Sequence, residues 1–406
     1  MPPPEMHPIP EEIIDLFMEE LHDEVETMKN CALVSRTFLT SARRQLFSTV
    51  VLRSEDQFLG FSSLIAQNLR ISVHVRRLLV SRSSYLPMIP QRLQSIISTF
   101  SAIRASLREV QVGYTHSVKN HSFRALPIEL QDAFLDLFAS PNLEIIIIGD
   151  FYDLPFPRLA RFTQLRELGI GCQGDAESST PEAVPLVPQD CPPWNLHTLR
   201  INCGVCAAAI LHTSRLSSIR SLTVGRQVPV ATLCSLLRAV GRSMDHLHWT
   251  PPGTLLTVES DFAAAKNVSL PDLKSLVLSA PGSGGISQTM AFFVSLLSRA
   301  ADSAATERAL QDVTFGLHMR GPWSYPVQFD APGLEAALRH PRYPKLGRVT
   351  FRIAVRPRDK RLAEFLRTIV QALPSFHSSG MLEVWCNSER KIPQDSPSRD
   401  DYHVKR

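Results

Sequence analysis

Leu196-His197-Thr198-Leu199-Arg200-Ile201 and Ile219-Arg220-Ser221-Leu222-Thr223-Val224 carry one pattern: an apolar residue, two others, an apolar residue, one other, an apolar residue. The last four positions of each alternate apolar and polar, the period of a strand with one face in a core and one in water. The template also fits Phe47-Val50-Leu52, Val75-Leu78-Val80, Leu107-Val110-Val112, Leu143-Ile146-Ile148 and Leu165-Leu168-Ile170. It continues at Met244-Leu247-Trp249, Leu273-Leu276-Leu278, Leu310-Val313-Phe315, Leu346-Val349-Phe351 and Met381-Val384-Cys386. That makes twelve copies at intervals of 22–37 residues. With 44% of residues hydrophobic, one triplet matches by chance about 9% of the time, so the weight lies in the series. The interleaved residues are mostly polar or small, as at Glu109/Gln111, Glu167/Gly169, His246/His248 and Asp312/Thr314.

Helical stripes lie between the triplets. Gln91–Arg104 places Leu93, Ile96, Ile97 and Phe100 on one face, and Ile128–Phe138 does so with Leu130, Phe134, Leu137 and Phe138. Val230–Val240, Thr289–Ala300 and Lys360–Leu373 read alike. Strand then helix at this spacing predicts an α/β solenoid over residues 49–386, its strands stacked in a parallel curved sheet and its helices on the far side. The unequal intervals predict irregular repeats; two doubly wound domains are the alternative. Gly174–Trp194 carries five prolines and reads as an excursion, Ala280–Gly285 as a turn, and Gly321–Pro332 as an aromatic-bearing flap. Residues 1–8 are expected to be flexible and 387–406 a disordered tail. The sheet edge left after residue 386 needs a cover.

Residues 9–48 read differently, as three short helices. Ile13, Ile14, Phe17 and Leu21 form one face of the first, opposite Glu11, Glu12, Asp15, Glu19 and Glu20. Pro10 suits its start, and the early acids suit the positive end of the helix dipole. Asp23 with Glu26 has capping-box spacing for a second helix holding Met28, Cys31, Val34 and Phe38, and Thr40 or Ser41 is placed to cap a third. Three helices of about ten residues bury too little to stand alone, so they must lean on the rest of the chain or on a partner.

Ile9-Pro10-Glu11-Glu12-Ile13-Ile14, then Leu21 and Asp23, then Cys31-Ala32-Leu33-Val34-Ser35-Arg36 and Arg43-Arg44-Gln45-Leu46-Phe47 resemble an F-box. Ile9 stands where the family usually has Leu, and Phe38 where Trp is commoner. The whole chain resembles the common architecture of an F-box followed by degenerate leucine-rich repeats. That resemblance implies docking on the Skp adaptor of an SCF-type ubiquitin ligase, with its cullin, through Ile9, Pro10, Ile13, Ile14, Leu33, Val34 and Phe38.

Composition excludes several other classes. Forty-three Lys+Arg against 39 Asp+Glu give a formal net charge of +4, too small to announce a nucleic-acid binder. Residues 1–50 are acidic, with nine acids and four bases. Arg356, Arg358, Lys360 and Arg361 form the densest basic cluster; Arg76-Arg77 and Arg43-Arg44 are others. No groove organises them, and they read as solvated surface, so nucleic acid is not the expected partner. Seven cysteines at irregular spacing and the absence of a basic-then-apolar leader predict a reduced, soluble, intracellular protein, cytoplasmic or nuclear, and the longest apolar runs are too short for a membrane span.

Chemistry-bearing motifs are sparse. Cys203-x-x-Cys206 lacks a second pair at zinc-finger distance, with Cys172 and Cys191 unhelpfully placed, and His246-x-His248 lacks a third ligand. Pro281-Gly282-Ser283-Gly284-Gly285 matches neither a phosphate loop nor a nucleophile elbow. No metal, no cofactor and no catalytic set is expected. The expected function is therefore a non-enzymatic substrate receptor, whose solenoid offers Arg200, His246, His248, Asp312, Arg348 and Arg352 on the polar strand face to a target protein. A repeat scaffold that binds a partner without a ubiquitin role is the alternative.

Overall fold

The computed structural model describes residues 9–21, 23–81, 89–113, 122–149, 151, 153–159, 162–171, 195–213, 216–251, 273–280, 286–302, 308–319, 331–355, 362–386 and 390–391. The segments Gly174–Trp194, 281–285 and 321–330 and the cluster Arg356, Arg358, Lys360 and Arg361 lie outside these residues, as do residues 1–8 and most of 387–406. The chain divides into two compact units, Met1–Asp175 and Ala176–Arg406.

The first unit opens with α1 (Glu11–Glu20), α2 (Val25–Cys31) and α3 (Arg36–Leu46). Their core is Ile14, Met18, Met28 and Ala42, with Leu21, Cys31, Ala32, Phe38 and Leu46 packed around it. Arg44 on α3 pairs with Asp15 and, at 3.4 Å, with Glu11, tying α3 to α1. The helix bounds differ from the expected ones. Asp23 and Glu26 do not form a capping box: α2 starts after Glu24, which makes no side-chain cap. The third helix begins at Arg36, capped by the Ser35 hydroxyl, which accepts from the Phe38 N–H, so Thr40 and Ser41 lie inside it. α2 has already ended at Cys31 and Ser35 caps a separate helix from Arg36, so Val34 lies in the turn between them and Phe38 in α3.

Five parallel strands follow: β1 (Thr49–Leu52), β2 (Arg77–Val80), β3 (Glu109–Val112), β4 (Ile145–Ile148) and β5 (Glu167–Ile170), each paired with the next in chain order. Between them run α4 (Glu55–Gln67), a 3-10 helix (Leu69–His74), α5 (Ile89–Ile103), α6 (Ile128–Phe138) and the single turn α7 (Phe156–Leu159). Val50, Leu78, Val110, Ile146 and Leu168 form one buried row, and Leu52, Val80, Val112, Ile148 and Ile170 the next. Behind them Phe58, Phe100, Phe123, Phe134, Phe138 and Phe151 form a chain of ring contacts.

The second unit repeats the plan. It stacks β6 (Thr198–Ile201), β7 (Ser221–Val224), β8 (His246–Trp249), β9 (Ser275–Ser279), β10 (Asp312–Met319), β11 (Arg348–Val355) and β12 (Leu382–Cys386) in parallel, again in chain order. The intervening helices are α8 (Gly204–Thr213), α9 (Val230–Val240), α10 (Ile286–Asp302), α11 (Ala331–Leu338), α12 (Leu362–Ala372) and α13 (Pro374–Ser378). Trp249, Phe292, Phe293, Phe315 and Phe351 contact one another in series in the core.

One backbone device recurs at nearly every step. The carbonyl of the residue ahead of a strand accepts from two successive N–H groups of the next repeat: Ser48 from Arg76 and Arg77, Arg76 from Arg108 and Glu109, and Arg220 from Asp245 and His246. Parallel strands in chain order with helices between them define a strand–helix repeat array within each unit.

The last two residues of each of the twelve expected triplets fall on a strand, the first standing just ahead of it, but the last triplet is out of frame. Val349 faces Leu382 and Phe351 faces Val384, so Leu382 and Val384, rather than Val384 and Cys386, occupy the two buried rows. A shift of two residues preserves which side chains point inward, and alternation alone cannot detect it. The tail reading also needs one correction. Arg390–Lys391 forms a short antiparallel β13 on β12, with Lys391 opposite Trp385 and Arg390 opposite Cys386, and this pair covers part of the terminal edge.

Candidate protein-docking surfaces

The N-terminal bundle exposes more apolar side chain than it buries. Among the described residues, the large exposed hydrophobics are Ile9, Ile13, Leu16, Phe17, Val25, Leu33 and Val34 in the bundle, against only Leu69, Val73 and Ile128 elsewhere. Helix geometry explains the split. At 3.6 residues per turn, Ile14, Met18 and Leu21 share one stripe and Ile13, Leu16 and Phe17 an adjacent one. α3 covers the first stripe only, leaving Ile13 53% and Phe17 51% exposed while Ile14 is buried. The single face expected from Ile13, Ile14, Phe17 and Leu21 is therefore two faces with two fates.

That division corrects the expected docking residues. Ile14 belongs to the bundle core and is not free for a partner, whereas Phe38 packs against that core half-buried and remains partly accessible. Ile9, Pro10 and Ile13 stay exposed. Leu33 and Val34 occupy the turn after α2, 85% and 69% exposed, held there because Ser35 starts a new helix one residue later. Leu16 and Phe17 on α1 are exposed as well, although the sequence pattern did not single out Leu16.

On the open face of the second unit, strand register brings distant residues into rows. Thr198, Ser221, His246, Ser275, Asp312 and Arg348 form one row, and Arg200, Thr223, His248, Val277, Thr314, Thr350 and Glu383 the next. Several of the expected target-facing groups are occupied within the protein. Arg348 donates to Asp312 at 2.7 Å, and this partner pushes the guanidinium pKa further up. The His248 ring contacts the Ser279 hydroxyl at 2.9 Å. Ser279 sits in the gap left by Gly316, where an added Cβ would come 2.6 Å from its oxygen. His246, Arg200 and Arg352 are exposed. Below His246, Asp245 pairs with Lys274 at 2.9 Å, and the lysine's hydrogen bond holds the carboxyl below its usual range.

Cys203 and Cys206 are buried at the start of α8, as small apolar side chains would be. Among the described residues no group of three or more His, Cys, Asp or Glu is placed to hold a metal ion. No described helix is long and apolar enough to cross a membrane.

No family model matches the chain, and no curated protein matches it. Among solved structures, the leucine-rich repeat-containing protein LegL7 from Legionella pneumophila is similar at 14% identity, covering 79% of this chain and 86% of that one with a TM-score of 0.45. A superposition that loose carries no argument by itself. The repeat assignment rests on the strand register within each unit.

Proposed function

We propose that the chain is a leucine-rich-repeat adaptor without catalytic activity, a substrate receptor of an SCF-type ubiquitin ligase. The observation that carries this reading is the concentration of exposed apolar side chains on the N-terminal bundle, at Ile9, Ile13, Leu16, Phe17, Leu33 and Val34. Exposed large apolar side chains concentrated in this way mark protein contact sites. Its residues coincide with most of the positions through which the F-box resemblance implies Skp binding. In this reading the repeat face holds a target protein, with His246, Arg200 and Arg352 as its exposed polar contacts. Ubiquitin transfer then follows from proximity, the bridge raising the target's local concentration near the loaded enzyme.

The test is affinity capture of the full chain from a eukaryotic lysate. The wild type is expected to recover Skp adaptor and cullin. Ile13→Asp/Val34→Asp is expected to lose both while keeping the wild-type far-UV circular dichroism, because both side chains are already in water. If the wild type recovers neither protein, the ligase reading fails and a repeat scaffold without a ubiquitin role replaces it.

A further inference from the structure

The margin of the first unit gathers cations that the sequence shows only as separate doublets. Arg76 and Arg108 stand ahead of β2 and β3 on successive rungs, since the Arg108 N–H donates to the Arg76 carbonyl. Strand spacing sets such rungs about 4.8 Å apart. The 3-10 helix carrying Arg70 and His74 packs against α3, which carries Arg43 and Arg44. Burial lowers the His74 pKa, and Arg44, Arg76 and Arg43 lower it further, so all three guanidiniums lie within electrostatic reach of one ring.

Few of these charges are neutralised. Arg44 has Asp15 and Glu11, and Arg77 has Glu109 at 2.8 Å. Arg43, Arg70 and Arg108 make no ion pair among the described residues, and the Arg76 guanidinium donates only to the Ser106 carbonyl. Glu144, on the rung after Arg108, is 3.9 Å from Arg166. Clustered like charges raise the free energy of the unbound chain, and a bound anion relieves them. Leu69 and Val73, on the same 3-10 helix as Arg70, are 65% and 56% exposed.

We propose that Arg43, Arg70, Arg76 and Arg108, with Leu69 and Val73 beside them, bind an acidic polypeptide segment that carries aliphatic or aromatic side chains among its Asp and Glu. The mixture of unpaired cations and exposed aliphatic groups selects protein over nucleic acid. A phosphate backbone would use the arginines and leave Leu69 and Val73 without apolar partners, and among the described residues the patch offers no exposed aromatic ring for base stacking. The proposal does not depend on the adaptor-docking reading, because none of its residues is among Ile9, Ile13, Leu33 or Val34.

Fluorescence anisotropy of the full chain with a labelled synthetic peptide of alternating Glu and Leu tests it. The wild type is expected to bind, and raising the salt from roughly 50 to 300 mM is expected to weaken binding severalfold as the charges are screened. Arg43→Gln/Arg76→Gln/Arg108→Gln is expected to bind about tenfold or more weakly, and the triple Lys variant to retain most of the affinity. Leu69→Ser/Val73→Ser is expected to weaken binding by about threefold or more through lost apolar contact. A peptide with Gln in place of Glu is expected not to bind. The proposal is overturned if the wild type does not bind the acidic peptide, or if the Gln triple variant binds it as the wild type does. It is also overturned if an oligouridine RNA of equal charge displaces the peptide and binds more tightly.

Discussion

Phe134→Ala should destabilise the first unit by about 4 kcal/mol. The side chain is fully buried on α6 and stands at the centre of the aromatic cluster. Its ring lies 5.2 Å from Phe100, 6.3 Å from Phe123, 5.9 Å from Phe138 and 6.0 Å from Phe151. Truncating a buried Phe to Ala costs about 3–5 kcal/mol, and each ring pair adds roughly 0.5–1.5 kcal/mol beyond area burial. The upper half of that range applies because the neighbouring rings come from three repeats and cannot all close on the vacated space. The assay is urea denaturation followed by far-UV circular dichroism. Trp194, Trp249, Trp323 and Trp385 are the only tryptophans and all lie in the second unit, so their fluorescence under-reports a change in the first. Phe134→Leu keeps an apolar side chain but loses volume and the ring pairs, and should cost less than the alanine variant, about 1.5–3 kcal/mol. A loss below about 2 kcal/mol for Phe134→Ala would refute the claim that this ring holds the repeats together.

Other substitutions probe separate parts of the argument. Gly149→Ala should lower the melting temperature, because its Cβ would run into the backbone carbonyl of Gly113 on the neighbouring repeat, whereas Gly60→Ala, with open space around it in α4, should stabilise by about 0.5–1 kcal/mol in the same scan. Ser35→Ala should cost the bundle about 1 kcal/mol through loss of the α3 cap, read as weaker protection of the Phe38 amide in hydrogen exchange. Arg76→Gln should move the His74 titration upward toward that of an ordinary histidine, followed by NMR of the ring. With its folded pKa below the unfolded value, His74 contributes stability that is complete above pH 6.5 and is lost as pH falls through the folded pKa; an unchanged titration would remove Arg76 from the cluster. Cys386, pushed up to about 11 by burial, should react slowly with iodoacetamide at neutral pH and faster as pH approaches that value.

The repeat fold was legible because alternation fixes which side chains face the core, and eleven of the twelve triplets needed no more than that. It could not fix the twelfth, where a two-residue slip costs nothing in pattern. The helical termini near Val34 were misread because Ser35 has no acid three residues on to advertise a cap, yet its hydroxyl alone sufficed. Consecutive apolar residues at Ile13 and Ile14 hid a choice that only α3 resolves. The open face was legible in kind but not in state. Asp312 and Arg348 are 36 residues apart in sequence and become neighbours only through register, which then ties them to each other. Register likewise turned Arg76 and Arg108 from scattered charges into adjacent ones.

The exposed stripe on α1 has a further consequence for binding. Its neighbours are already fixed: the Arg44 pairs set the angle between α1 and α3, and the Ser35 cap ends the turn that presents Leu33 and Val34. A partner seated there meets side chains on ordered backbone and does not have to fold the site, so little conformational entropy opposes association. The exposed groups are also bulky, and each adds up to about 1.5–3 kcal/mol when fully covered. A rigid apolar surface on a bundle whose own core is only Ile14, Met18, Met28 and Ala42 favours one arrangement, in which partner binding stabilises the bundle as well. Saturating partner should therefore raise the bundle's hydrogen-exchange protection, and Ile13→Asp should abolish that rise without lowering protection in the free chain.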